Sequence, residues 1–217
     1  MKNSFFNRKF KYVYWNAAQI IIAVNIICYI LTGMMNIRIK GINLFYWMSL
    51  IPLFVKQGCI WQFVTYLFVH SDPMHIIFNM YALLMFGTGL ERAVGSKEFL
   101  LFYFLTGIAG GVINYFVTLY TGTVYTVVMG ASGAVYALMF LASIIFPENR
   151  VLLFFCIPMK MPVAVIIFMA LEIASQVFGT AAGVAHLIHL SSVAVAWIYC
   201  LVRFRISPLK VWTRTLK

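Results

Sequence analysis

The sequence predicts an all-α fold, a polytopic membrane protein built as one bundle of six transmembrane helices. Three observations carry this reading. Of 217 residues, 64% are hydrophobic and 10% charged, far from the roughly half-apolar composition of a soluble domain. The apolar residues fall in runs of about 18 to 20, which as helix cross a ~30 Å hydrocarbon core. The basic residues flank those runs with a strong bias toward one side.

Residues 1–15 form a short basic, aromatic arm with Lys2, Arg8, Lys9 and Lys11. Span one covers about Asn16 to Met34. It lacks a small-residue cleavage site and is followed by more spans, so it reads as a retained helix and not a removed signal peptide. A long mixed connection, Met35 to Ser71, is broken by Gly41, Pro52 and Gly58 and is expected to lie on or in the outer leaflet. Ser71-Asp72-Pro73 is a helix start, with Asp72 as cap and Pro73 at the first helical position. Span two then runs to about Leu90.

Glu91, Arg92 and Lys97 make a charged turn into span three, about Glu98 to Leu119. Gly107 and Gly111 there form a GxxxG face for close helix packing. After the polar loop Tyr120 to Thr126, span four lies in the apolar segment Val128 to Phe146 and ends at Pro147-Glu148-Asn149-Arg150. Residues 151–161 are apolar but contain Pro158 and Lys160, and are expected to be interfacial. Span five is about Pro162 to Phe178. A small-residue turn, Gly179 to Gly183, leads to span six, about Val184 to Val202, and a basic tail. The plan is thus an arm (1–15), a six-span core (16–203) and a cytoplasmic tail (204–217).

Six spans place both ends on one side. With the amino terminus inside, 13 of the 16 Lys and Arg residues lie inside and only Arg38, Lys40 and Lys56 outside. This positive-inside bias sets the expected orientation, with both termini cytoplasmic. It also accounts for the net charge of +11 without a nucleic-acid partner; the basic residues meet membrane lipids instead. Cys28, Cys59, Cys156 and Cys200 are far apart and have no metal-ligand spacing, so they read as small packing residues.

The chemistry centres on Gly130-Ala131-Ser132-Gly133. The flanking glycines let another helix or a substrate backbone approach the hydroxyl. At ~1.5 Å rise per residue, Ser132 is about four residues into span four, ~6 Å deep. His189 is ~8 Å into span six. His75 and Asn79, on one face of span two at i and i+4, are ~3 and ~9 Å deep. Three separate spans thus deliver Ser, His and a His/Asn pair to one layer. Serine is a poor nucleophile until a base takes its proton, and histidine is the usual base. Asn79, His75 and the Ser132 backbone N–H are suitable donors to an oxyanion. No acid is placed at the depth of His189 on the same element, so the expectation is a Ser-His dyad and not a triad.

These motifs together resemble the rhomboid family of intramembrane serine proteases, over about residues 16–203. Gly130-Ala131-Ser132-Gly133, followed by Ala134-Val135-Tyr136, is similar to the family's nucleophile motif. His70, His75 and Asn79 match its span-two motif, and His189 in the run Val184 to Leu190 matches its span-six motif. Trp61 resembles the tryptophan of the first loop. Glu91 resembles the glutamate that closes span two and ties down neighbouring backbone. The resemblance implies Ser132 as nucleophile, His189 as general base and acid, and His75 and Asn79 at the oxyanion. It implies Gly130, Gly133, Tyr136, Glu91 and Trp61 in support, with Tyr136 packed on His189. It further implies a rhomboid-like six-helix bundle and a protein of the bacterial inner membrane. The implied substrates are transmembrane segments of other proteins, cleaved near the outer face, with no metal or organic cofactor. The chain departs from the family in two places. Ser191 and Ser192 stand where two glycines usually follow the catalytic histidine, and Gln62 stands where an arginine commonly follows the loop tryptophan.

Other groups read more plainly. His186 is a structural or wet-cavity residue, His70 a loop-packing histidine, and Glu172 an interior-facing carboxyl bonded to a neighbour. A non-catalytic binder of client spans typically lacks the serine or the histidine. A transporter typically shows repeats and broken helices near the midplane, and this sequence shows no repeat.

Overall fold

The computed structural model describes residues 10–35, 37–153, 156–179 and 183–217. Helix α1 is Ala17–Met34, its last turn widened to π-helical spacing. The connection that follows folds into a hairpin of β1 (Arg38–Ile39) and β2 (Ile42–Asn43) and three short helices: α2 (Leu44–Met48), α3 (Pro52–Lys56) and α4 (Gln62–Thr65). Helix α5 is Pro73–Val94 and α6 is Ser96–Thr121. Helix α7 is Ser132–Ile145. A second hairpin, β3 (Arg150–Leu153) with β4 (Ile157–Lys160), leads to α8 (Met161–Val177). Helix α9, Gly183–Tyr199, continues as a π-helical turn to Phe204, and α10 is Pro208–Thr215.

Among the described residues, α1, α5, α6 and the stretch His186–Phe204 are long and apolar enough to cross a membrane, while α7 and α8 are shorter apolar helices. The fold is therefore the expected all-helical membrane bundle. Helix α7 stands at its centre, with every residue from Gly133 to Ile144 except Tyr136 buried. That is why its sequence is apolar on all sides. A helix wrapped in protein does not need the full length of a lipid-facing span; its 14 residues extend only ~21 Å.

Helices α6, α7 and α9 make the tightest three-way junction, and its spacing is set by residues without side chains. A Cβ on Gly133 would stand 2.8 Å from both Ile188 Cγ2 and Ser192 Oγ, and one on Gly110 would collide with Ser192. The small face of α6 that meets α9 is thus Gly110. Gly107 and Gly111, expected to be a helix-packing pair, instead face Leu67 and Tyr66 of the connection, with Ala134 of α7 beyond Gly107. The Tyr66 hydroxyl donates to the Gly107 carbonyl at 2.6 Å. The small residues let a loop, and not only a helix, lie against α6.

Two further segments take regular local structure. Residues 151–161 are mostly a β-hairpin, with Arg150 opposite Lys160 and Val151 opposite Met159. The tail holds the helix α10, which packs on α7 through Trp212: its indole N–H donates to Ser143 Oγ at 3.1 Å, and its ring lies on Phe140 and Trp197. Lys160 joins the two segments by donating to the Thr215 carbonyl at 2.8 Å. Buried Glu91 closes the same end of the bundle. Its carboxylate accepts from the Ala17 and Ala18 N–H groups, at 2.7 and 2.9 Å, and from Ser96 Oγ–H. It thereby satisfies the orphan donors at the start of α1. The expected arm begins outside the described residues; of its basic residues, Lys2, Arg8 and Lys9 lie there, and so does most of the expected turn Gly179 to Gly183.

Candidate active site

Ser132 is the first residue of α7 and not a residue one turn inside it. The five residues before it are diverted from helix by the connection. Val128 pairs with Leu50 in an antiparallel bridge, and the Gly130 N–H donates to the Tyr66 carbonyl at 2.9 Å. Gly130 adopts φ +109°, which favours glycine. The turn that results presents Ser132 at a helix N-terminus, where backbone N–H groups are free of helical partners.

His189 and His75 converge on it. His189 Nε2 lies 2.8 Å from Ser132 Oγ, although the two are 57 positions apart in sequence. The Tyr136 ring, one turn along α7, stacks on the His189 imidazole at 4.2 Å between centroids and 12° between planes. On α5, the Asp72 side chain caps the helix by accepting from the His75 N–H at 2.9 Å. The Ser71 hydroxyl and this N–H hold the Asp72 carboxyl below the usual carboxylate range. The cap fixes the first turn, from which His75 reaches over Gly130. A Cβ on Gly130 would meet His75 Nε2 at 2.7 Å and Ser132 Oγ at 3.8 Å. His75 and Ser132 therefore border one small space that glycine leaves open. Asn79 is buried one turn below and donates to the His75 carbonyl at 2.8 Å. An amide nitrogen carries two hydrogens, so a second donor remains.

His70 is buried with its ring edge-to-face on His75, centroids 4.9 Å apart. Burial, with His75 beside it, pushes the His70 pKa down to about 3. Trp61 donates its indole N–H to the Trp47 carbonyl at 3.1 Å and packs on the Trp47 ring. The neighbouring Gln62 carries more of the loop. Fully buried, it accepts from the Ile51 N–H at 2.9 Å and donates to the Tyr46 and Trp47 carbonyls. A glutamine opening a short helix carries no sequence signal for that role. At the two serines that follow the histidine pair, Ser191 donates to the Ile188 carbonyl at 3.0 Å. The Ser192 hydroxyl is buried between Gly110 and Gly133 with no hydrogen-bond partner among the described residues.

One expectation is overturned. His189 is not without an acid: Glu172 Oε1 lies 3.0 Å from its Nδ1, and Glu172 Oε2 lies 2.5 Å from His186 Nδ1. The acid does not lie on the element of His189 but comes from the neighbouring helix. It sits near the end of α8, about 7 Å from Val177, while His189 is about 9 Å from the start of α9; the antiparallel neighbours bring these depths level. Counting depth on every span, as for Ser132 and His75, is the signal that would have found it. Glu172, His186 and His189 are also a set of potential metal ligands, with donor atoms within 4.8 Å of one another.

Comparison with known proteins identifies the family. Residues 57–206 match the rhomboid domain family. The chain is similar to the rhomboid protease GlpG of Haemophilus influenzae, 29% identical over 149 residues, which is 68% of this chain and 72% of that protein. It is similar to the mitochondrial RHOMBOID-like protein 12 of Arabidopsis thaliana, 31% identical over 158 residues, covering 65% and 47%. It also resembles the rhomboid protease GluP of Bacillus subtilis, 35% identical over 82 residues, covering 38% and 15%. The chain spans less than half the length of the Arabidopsis and Bacillus relatives. The domain match runs from the connection before α4, through the helices that carry Ser132, His75 and His189, to the end of the last long helix, so the chain belongs to the rhomboid family.

Proposed function

We propose that the protein is an intramembrane serine endopeptidase that cleaves transmembrane segments of other membrane proteins. The observation that carries the reading is the 2.8 Å contact between His189 Nε2 and Ser132 Oγ. A hydroxyl in hydrogen-bond reach of an imidazole is the pairing nucleophilic acyl transfer requires. Ser132 attacks the scissile carbonyl carbon as its proton passes to His189 Nε2. The new oxyanion takes hydrogen bonds from the Ser132 backbone N–H, His75 and Asn79. To donate, His75 carries a proton on Nε2, the nitrogen that faces the open space above Gly130. His189 then gives its proton to the leaving amine. A water molecule, deprotonated by the same imidazole, releases the acyl group and restores Ser132.

In the lipid bilayer the six apolar helices are six spans, with both termini cytoplasmic and the site near the outer face. The distribution of Lys and Arg supports this orientation, with 13 residues against three. Integral membrane location follows from the family and the apolar helices, and the proposal adds a bacterial inner-membrane address with substrate taken up from the lipid phase.

The test is cleavage of a model transmembrane substrate in liposomes, together with fluorophosphonate labelling. Wild type is expected to cut and to label, and Ser132→Ala and His189→Ala to do neither. Cleavage by Ser132→Ala at the wild-type rate would sink the assignment. A wild type that binds spans without ever cutting them would make it a client-binding protein.

A further inference from the structure

Glu172 has no part in the chemistry above, yet it is buried at the site with two imidazoles on its carboxyl group. His186 and His189, three apart on α9, lie on one face of that helix, and both turn their Nδ1 atoms to α8. The oxygens are shared out: Oε2 to His186 at 2.5 Å and Oε1 to His189 at 3.0 Å. A carboxylate only accepts hydrogen bonds, so an ionised Glu172 takes an N–H from each imidazole. With Nδ1 of His189 giving its proton to that bond, the lone pair of the ring lies on Nε2, toward Ser132.

We propose that Glu172 is a positioning residue that holds His189 in the tautomer able to accept the Ser132 proton, with His186 as the anchor that aims its carboxylate. The inference rests on the endopeptidase reading. In the acylation step the proton leaves Ser132 Oγ for His189 Nε2, and the Oγ–C bond forms. His189 is then an imidazolium whose Nδ1–H stays in place. Glu172 keeps its negative charge opposite that cation and is never itself protonated. The Nε2 proton goes to the leaving nitrogen as the C–N bond breaks. The Tyr136 ring fixes the plane of the imidazole, and Glu172 fixes which way round it sits in that plane. Neither contact does the work of the other. Without the carboxylate, the His189 ring is free to carry its proton on Nε2, where it cannot act as a base.

The experiment pairs kinetics with nitrogen NMR on the full-length protein. Cleavage of a transmembrane substrate in liposomes is measured for wild type and Glu172→Gln. The tautomer of His189 is read from ¹⁵N-histidine shifts, with the other histidines assigned by single replacement. Glu172→Gln is expected to lower kcat on the order of 10,000-fold with KM nearly unchanged, as on loss of the orienting acid in serine-protease triads. Wild-type His189 is expected to show a protonated Nδ1 and an unprotonated Nε2, and the variant a mixture. Glu172→Gln cutting within about threefold of wild type would overturn the proposal. So would a wild-type His189 with its proton on Nε2, a measurement that holds even where the variant does not fold. A wild type that never cuts, but shows the expected tautomer, defeats the endopeptidase reading and leaves the geometry of Glu172 standing.

Discussion

Gly130 and His75 occupy a space that admits no side chain on residue 130. The backbone there holds φ +109°, and a Cβ would stand 2.7 Å from the His75 imidazole. Gly130→Ala therefore strains the turn and displaces His75 together. A misplacement of about 1 Å at a reacting centre costs on the order of 100-fold. We expect Gly130→Ala to lose at least that factor in kcat while retaining its helical circular dichroism. Liposome cleavage assays check the first statement and far-ultraviolet spectra the second.

His75 and Asn79 on α5 are the side-chain donors assigned to the oxyanion. Removing one donor of this kind costs roughly 100- to 1,000-fold in kcat. Asn79→Ala and His75→Ala are each expected to fall in that range with KM little changed, because the oxyanion exists only along the reaction path. Wild-type kcat in Asn79→Ala would remove Asn79 from the assignment. His75→Ala with lower kcat and an equally raised KM would point to ground-state binding instead.

The junction of α7 and α9 is tested from both sides. Ser192 buries a hydroxyl without a partner among the described residues, a cost of about 1–3 kcal/mol for a buried unsatisfied group. Ser192→Ala is expected to raise stability by about 1 kcal/mol at little loss of packing. Gly133→Ala places a methyl 2.8 Å from Ile188 Cγ2 and Ser192 Oγ. Both of those atoms are fixed directly to a Cβ, so relief requires the helices to part. The expected loss is about 1–3 kcal/mol, as for overpacked cores. Thermal unfolding in one detergent, compared with wild type, reads both signs.

His70 gives the structure a pH dependence of known sign. Its pKa falls from the ordinary 6.5 to about 3 in the fold. Between those values the unfolded chain binds a proton that the folded chain does not. The His70 contribution is therefore whole above pH 6.5 and is lost progressively as pH falls toward 3. One proton is worth about 1.4 kcal/mol per pH unit. Unfolding midpoints taken from pH 7 to pH 5 should fall more steeply for wild type than for His70→Gln, by up to that slope. Parallel curves would show that His70 is not held neutral.

The elements that could be read directly from the chain are those set by composition and local period. Long apolar runs became α1, α5, α6 and α9, because a helix is the only single-segment way to satisfy a backbone in hydrocarbon. Asp72 and Pro73 opened α5, since capping is a matter of adjacent residues. The expectation that Ser132, His189, His75 and Asn79 share one layer rests on constant helical rise. The hairpin β3–β4 and helix α10 did not emerge in this way, for their residues take shape only against each other, through Lys160 and Thr215, and against Ser143 through Trp212.

The sequence by itself determined that this protein is a mostly helical membrane bundle. It did so because hydrophobic length and residue rise are properties of a single helix. Only the tertiary structure decided that Ser132 begins α7, that Gly110 and not Gly107 faces α9, and that Glu172 meets His189. Each of those depends on how far a helix is rotated about its own axis and how closely its neighbour approaches. Contacts between helices fix both quantities, as Gly133 and Ser192 do here, and no residue's own neighbours in the chain carry that information.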